Sequence, residues 1–211
     1  MVIRFKICGI TREEDAMLAE NARAWAVGFI FVQNSPRYIT PEKANEIAGK
    51  LSEKIEKIGV FVNSSVEEVV RIAKIAGITK IQLHGEEFPE FCAKVQKLTE
   101  KDVIKAVRIK DNKDLELIKN YEGYVSYILL DSYSEQFHGG TGKTFDWGIA
   151  KKACRQKLPI ILAGGLTPEN IAEAYTKVKP YALDLSSGIE KSKGIKDKIK
   201  INKLKNVLYR S

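Results

Sequence analysis

Ile58-Gly59-Val60-Phe61-Val62-Asn63-Ser64-Ser65-Val66-Glu67-Glu68-Val69-Val70-Arg71-Ile72-Ala73-Lys74-Ile75 contains one complete unit of the pattern that decides the fold. Ile58 to Val62 is a short, β-branched apolar run of the kind a strand buried on both faces requires. Ser64-Ser65 ahead of Val66-Glu67-Glu68 is a capping signal, because a serine hydroxyl can accept an orphan N–H of the first helical turn. The residues that follow are amphipathic with helical period, so the stretch reads as a strand leading into a surface helix.

The same unit recurs in both directions from this point. The apolar runs are Val2 to Cys8, Trp25 to Phe31, Ile58 to Val62, Lys80 to His84, Val103 to Val107, Tyr127 to Asp131, Pro159 to Ala163 and Tyr181 to Ser186. Between them lie helical segments with their own start signals, among them Thr40-Pro41-Glu42 and Thr167-Pro168-Glu169, each with proline where the first helical N–H is dispensable. Eight strand–helix units in 211 residues match an α/β protein built as a single (β/α)8 TIM barrel of eight parallel strands with few insertions. An open doubly wound sheet is the competing arrangement. It calls for a Gly-rich dinucleotide turn after an early strand, and the turn after the first run is only Cys8-Gly9-Ile10-Thr11. With no Pro/Ser-rich or low-complexity tract to divide it, the chain is expected to be one domain over residues 1–211.

Composition narrows the class. A hydrophobic fraction of 44% with 29% charged residues belongs to a packed globular chain, not a disordered or membrane one. The start, Met1-Val2-Ile3-Arg4-Phe5-Lys6, lacks a secretory pattern, and no apolar run is long enough to span a bilayer, so a cytoplasmic location is expected. Cys8, Cys92 and Cys154 are odd in number and lack a C-x-x-C spacing, which argues against disulfides and structural zinc. Cys92 and Cys154 fall on helical segments and read as packing residues. The net charge of +8 raises the question of nucleic acid, but the excess is local. Between Lys191 and Lys205 seven lysines face a single acid, Asp197, which puts +6 in that window and leaves +2 elsewhere. Ile201, Leu204 and Leu208 fall at helical spacing, so this end is expected to be a terminal helix with one stripe packed inward and lysines in water, with no nucleic-acid partner.

In a barrel the chemistry gathers where strands end. The ends here carry Cys8, Asn63, His84 and Asp131, with Arg37 shortly after the second run, Gly164-Gly165 after the seventh, and Asp184 followed by Ser186-Ser187-Gly188 at the eighth. One glycine pair alone would merely make a tight turn. Exposed N–H groups after both of the last two strands, with a short helix expected to begin near Ser187, instead suggest a phosphate cradle. Cys8 and Asp131 could serve as proton acceptor and proton donor on a common substrate, provided the site shifts a thiol from ~8.5 and a carboxyl from ~3.9 toward neutrality. Lys6, two residues before Cys8 on the same strand face, could lower the thiol. Arg37 in Ser35-Pro36-Arg37-Tyr38 could grip a carboxylate through paired donors, or lie on a surface loop. His84 is either a site residue or a hydrogen-bonded structural histidine. Gly140-Thr141-Gly142-Lys143-Thr144 imitates the end of a P-loop, but Phe137 stands where that motif needs glycine. Gly139 to Lys143 reads instead as a loop able to fold over substrate, or as a plain connection.

These blocks carry a resemblance. Lys6-Ile7-Cys8-Gly9-Ile10-Thr11, Gly28-Phe29-Ile30-Phe31, Ser35-Pro36-Arg37-Tyr38, Gly59-Val60-Phe61-Val62-Asn63 and Gln82-Leu83-His84-Gly85 follow in order along the first half. Leu130-Asp131, Gly139 to Trp147, Leu162-Ala163-Gly164-Gly165-Leu166 and Asp184-Leu185-Ser186-Ser187-Gly188-Ile189-Glu190 continue it. In these the chain resembles the phosphoribosylanthranilate isomerases of tryptophan biosynthesis over nearly its whole length. The resemblance implies an Amadori rearrangement of a small phosphorylated substrate without metal or cofactor; the chain itself reads as a monomer or a homodimer. It implies Asp131 as general acid on the ribose ring oxygen, Cys8 as general base at C2′, Arg37 on the anthranilate carboxylate, and Asp184 on a substrate hydroxyl. The glycine and serine turns would hold the phosphate. One departure stands at Ala22-Arg23-Ala24-Trp25, where relatives usually end the first helix with Gly-Ala.

Two other readings remain. A histidine-pathway isomerase of an aminoimidazole ribotide runs the same chemistry, but its family places aspartate where Cys8 stands. A nucleic-acid-binding role for the lysine-rich end would show as tight, steeply salt-dependent binding to duplex DNA.

Overall fold

The computed structural model describes residues 3–109, 111–132 and 147–209. Val2 and the Gly139–Lys143 loop lie outside the described residues. Eight parallel strands close into a barrel in chain order: β1 (Phe5–Cys8), β2 (Ala26–Ile30), β3 (Glu56–Phe61), β4 (Lys80–Leu83), β5 (Asp102–Ile109), β6 (Tyr127–Ser132), β7 (Ile160–Leu162) and β8 (Ala182–Leu185). Strand β8 returns to β1 with Phe5 opposite Leu183 and Lys6 opposite Asp184. The helices are α1 (Glu13–Asn21), α2 (Pro41–Ala48), α3 (Val66–Ile75), α4 (Pro89–Thr99), α5 (Leu115–Lys119), α6 (Trp147–Ala153), α7 (Ile171–Val178) and α8 (Lys198–Tyr209). A hairpin of β9 (Glu190–Ser192) and β10 (Ile195–Lys196) precedes α8.

Several capping signals act as expected. The Thr40 and Ser65 hydroxyls accept from the N–H groups of Lys43 (3.2 Å) and Glu68 (3.1 Å) at the starts of α2 and α3. At Thr167-Pro168-Glu169 the outcome differs slightly: the chain first makes a turn and the regular helix begins at Ile171. The Asn170 side chain accepts from the Thr167 N–H and donates to the Gly165 carbonyl, which ties the turn to the loop after β7.

The strand period of two sorts side chains into two cores. Phe5, Ile7, Val27, Phe29, Leu83, Leu130, Leu162 and Leu185 point outward and pack against helical residues such as Ala16, Ala19, Ile47, Val69 and Leu204. Ala26, Ile58, Ile104, Leu129, Ile161 and Ala182 point inward and fill the barrel, with Trp25, Tyr127 and Tyr181 packed against them. Lys6, Gln82 and Asp184 share the inward face of their strands and are buried. The barrel is thus apolar low down and polar toward its C-terminal mouth.

The end of α1 keeps its turn without glycine. The Arg23 N–H reaches the Glu20 carbonyl (2.8 Å) and the Ala24 N–H the Ala19 carbonyl (3.0 Å), the paired bonds of a Schellman cap. Arg23 occupies the left-handed position at φ +60°, normally a glycine's place. In α8, Ile201, Leu204 and Leu208 are buried as the spacing indicated. Lys196 departs from the expectation of solvated lysines, because β10 turns it into the interior, where Glu190 and backbone carbonyls satisfy its charge.

Candidate active site

Cys8 ends β1 beside Gly28 of β2, its cross-strand partner, where a Cβ would come within 2.8 Å of the Cys8 sulfur and 3.0 Å of Lys6 Cε. Glycine at that position lets the thiol and the ammonium lie side by side on the barrel's inner wall. Lys6, wholly buried, donates to Gln82 Oε1 (2.8 Å) and Asp184 Oδ2 (2.9 Å). Gln82 Nε2 meets His84 Nδ1 at 2.8 Å, and His84 Nε2 meets Asp131 Oδ2 at 3.2 Å. One hydrogen-bonded line therefore runs from the neighbourhood of Cys8 across the mouth to Asp131. His84 thus lies at the mouth between Gln82 and Asp131, hydrogen-bonded on both ring nitrogens.

The charges follow from burial and partners. Burial opposes the Lys6 charge, but Asp184 and Cys8 outweigh it and hold the ammonium protonated. Burial pushes the Asp184 carboxyl up while Lys6 pulls it back. Its second oxygen, Oδ1, is buried with no partner among the described residues, leaving an acceptor available in the site. For Cys8 the expected lowering by Lys6 is present but does not prevail. Burial pushes the thiol up, Asp184 adds to the rise, and the pulls of Lys6 and Lys196 are together smaller.

The glycine and serine turns after β7 and β8 come together in space. Gly164 and Gly165 after β7 take φ of +87° and +63°. A Cβ on Gly188 would collide with the Leu166 carbonyl, so glycine allows the loop after β8 to lie directly on the loop after β7. The short helix expected near Ser187 is a single turn of 3-10 helix, Ser187–Ile189. The Ser186 hydroxyl donates to the Cys8 carbonyl (3.2 Å), joining these turns to the end of β1.

Arg37 reaches the mouth over Gly9, but its fork is engaged. Its Nε and Nη2 donate to Glu190 Oε1 (2.8 Å) and Oε2 (2.7 Å). Lys196 donates to the same carboxylate (2.9 Å) and to the Cys8 carbonyl (2.6 Å). Burial alone would raise the Glu190 carboxyl, yet bonds from Arg37 and Lys196 hold it low. Glu190, Lys196 and Gln82 were not singled out from sequence. Their signal, polar residues on strand or hairpin segments, is indistinguishable from surface decoration until the strands close. Asn63 turns to structural work, accepting from the Glu86 N–H (2.7 Å), while the buried Glu87–Lys105 pair (2.9 Å) props the turn after His84. Cys92 is core filling, its thiol pushed up to about 12 by burial. Among the described residues no cluster of three His, Cys, Asp or Glu could hold a metal ion, and no helix is long and apolar enough to cross a membrane.

A carboxyl and a thiol, groups able to give and take protons, thus stand at one barrel mouth beside two turns built of glycine and serine. Comparison with known proteins agrees. A protein from Pelobacter propionicus named N-(5'-phosphoribosyl)anthranilate isomerase is 49% identical over 200 residues, covering 95% of this chain and 92% of that protein. The crystal structure of phosphoribosyl anthranilate isomerase from Thermotoga maritima superposes with a TM-score of 0.91 at 39% identity, covering the whole of both chains. A second structure of such an isomerase, in complex with reduced 1-(o-carboxyphenylamino)-1-deoxyribulose 5-phosphate, gives 0.88 at 36% identity, again over all of both chains. The family model described as N-(5'-phosphoribosyl)anthranilate (PRA) isomerase matches residues 5–207, and the chain belongs to that family.

Proposed function

We infer that the chain isomerises N-(5'-phosphoribosyl)anthranilate to 1-(2-carboxyphenylamino)-1-deoxyribulose 5-phosphate, an aldose–ketose rearrangement in tryptophan biosynthesis. The observation that supports this reading is the hydrogen-bonded line Lys6–Gln82–His84–Asp131 at the barrel mouth, with the Cys8 thiol beside Lys6.

In the proposed sequence Asp131 gives its proton to the ribose ring oxygen as the C1′–O bond breaks. The lone pair of the anthranilate nitrogen then forms the C1′=N iminium, so the positive charge moves to nitrogen. Cys8, as thiolate, takes the C2′ proton, and the electrons of that C–H bond form the C1′=C2′ enolamine while neutralising the iminium. In the tautomerisation that follows, C1′ gains a proton and the C2′ hydroxyl loses one to give the ketone, which offsets the proton taken up by Cys8 and the one given by Asp131, so atoms and electrons balance. Lys6 and Lys196 stabilise the thiolate, against the burial that favours the thiol. Asp184 offers its unpartnered oxygen to a substrate hydroxyl. Gly164, Gly165, Ser186, Ser187 and Gly188 line the phosphate subsite. Arg37 receives the anthranilate carboxylate with the guanidinium edge that Glu190 leaves free, and Glu190 holds the fork in place.

The whole chain acts as one catalytic unit in the cytoplasm, as a monomer or homodimer that light scattering distinguishes. Loss of anthranilate fluorescence on mixing the purified chain with phosphoribosylanthranilate tests the activity. An unchanged signal under conditions where a known isomerase consumes the substrate would refute it.

A further inference from the structure

The partners along the acid's hydrogen-bonded line fix the direction of every bond in it. The Lys6 ammonium has donors only, so the oxygen of the Gln82 amide must face it at 2.8 Å. The amide's NH2 is then the end that meets His84 Nδ1, also at 2.8 Å. An NH2 group cannot accept, so Nδ1 must supply a lone pair and the ring proton must sit on Nε2. That nitrogen lies 3.2 Å from Asp131 Oδ2, to which it donates. A second ring proton would set N–H against NH2, and turning the amide over would set NH2 against the ammonium. Both escapes cost a buried polar contact.

We propose that Lys6 and Gln82 are positioning residues that hold His84 as its neutral Nε2–H tautomer, so that His84 donates to Asp131 Oδ2 and leaves the acid's own proton on Oδ1. An imidazole of the opposite tautomer would accept that proton at Nε2 and draw it away from the substrate. The inference rests on the reading of Asp131 as general acid and adds what keeps its proton available. The other charged groups around the ring are consistent with this. Asp131 faces it from β6, while Asp184 and Lys6 stand across the mouth from β8 and β1. Glu87, from the following loop, is turned away onto Lys105.

Nitrogen-15 spectra of the wild-type imidazoles near neutral pH test the tautomer directly. The chain has two histidines, and His138→Asn assigns the signals. A neutral ring with its proton on Nε2 is expected for His84, and a proton on Nδ1, or on both nitrogens, would overturn the proposal. Gln82→Glu offers acceptors to both neighbours. It is expected to place a proton on Nδ1 and to lower kcat on the order of tenfold or more while KM stays within about twofold. Gln82→Met, of similar length without donor or acceptor, should release both tautomers and lower kcat by a smaller factor. If the glutamate variant does not fold, the wild-type spectrum and the methionine variant decide. A changed tautomer with wild-type kcat would overturn the catalytic consequence. Asp131→Asn separates the two readings: full turnover there sinks the acid assignment, whereas an inactive Asp131→Asn beside fully active Gln82 variants sinks only the positioning role.

Discussion

Cys8 shows why a residue's chemistry is set by its surroundings. A thiol between two ammonium groups would ordinarily ionise early, yet here burial outweighs their pull and pushes the thiol up. Inactivation by iodoacetamide is therefore expected to be slow at pH 7 and still accelerating at about pH 9, above the free-thiol value. A rate that levels off below about pH 8 would show the lysines prevailing. Burial pushes Cys154 up to about 11 and Cys92 to about 12, and both pack into the outer core away from the barrel mouth, so loss of activity reports on Cys8. Cys8→Ser and Asp131→Asn should each lower kcat by a factor on the order of 10² or more with unchanged circular dichroism. Near-normal turnover in either would remove that residue from its role. Cys8, Asp131, Arg37 and Asp184 could be named as candidates from the sequence because reactive side chains at or near strand ends have few structural uses. Gln82 and Glu190 were not, since each takes its place through a partner far along the chain, Lys6 for the one and Arg37 for the other.

At the scale of elements, the β9–β10 hairpin is the least anticipated part. It brings Glu190 under Arg37 and Lys196 under Cys8, so a buried ion pair supports both the guanidinium and the end of β1. Glu190→Ala leaves the Lys196 charge without its carboxylate and is expected to cost about 3 kcal/mol of stability in denaturant melts. It should also raise KM as Arg37 loses its anchor, and a variant with wild-type stability and KM would show the hairpin to be dispensable. The end of α1 poses the opposite case. Arg23 carries a left-handed strain that glycine would not, partly offset by its position over the Tyr209 ring, 5.7 Å from the centroid. Arg23→Gly is expected to stabilise the chain by up to about 1 kcal/mol, or a melting point higher by about 2–4 °C. A lower melting point would mean that the ring contact outweighs the strain.

For the whole molecule, the ion pairs predict how stability varies with pH. Glu190 and Asp102 are both held below the ordinary carboxylate range. Glu190 is held there by Arg37 and Lys196 against its burial, Asp102 chiefly by its bond from Lys80. A carboxyl with a depressed folded value stabilises the fold above its unfolded value near ~4, and that contribution is lost as pH falls through the folded value. Asp184 is shifted upward and works in the opposite sense, but it is outnumbered. The melting temperature is accordingly expected to hold near neutrality and to fall below about pH 4 in a thermal melt series. A midpoint unchanged down to about pH 2 would contradict this. Glu169, at about 2 beside Lys203, is exposed, so salt should weaken its share first.

Local order by itself determined the succession of strands and helices, the inward and outward alternation along each strand, and the reactive residues at the strand ends. All of these depend on neighbours a few positions apart, through strand period, helix period and capping. Only the closed barrel decided which polar residues meet. Closure brings β8 against β1 and sets Lys6 between Asp184 and Gln82, and it is there that burial and charge compete to fix which groups carry protons. Those energies depend on distance in space and on exclusion of water, neither of which is written in the order of residues along the chain.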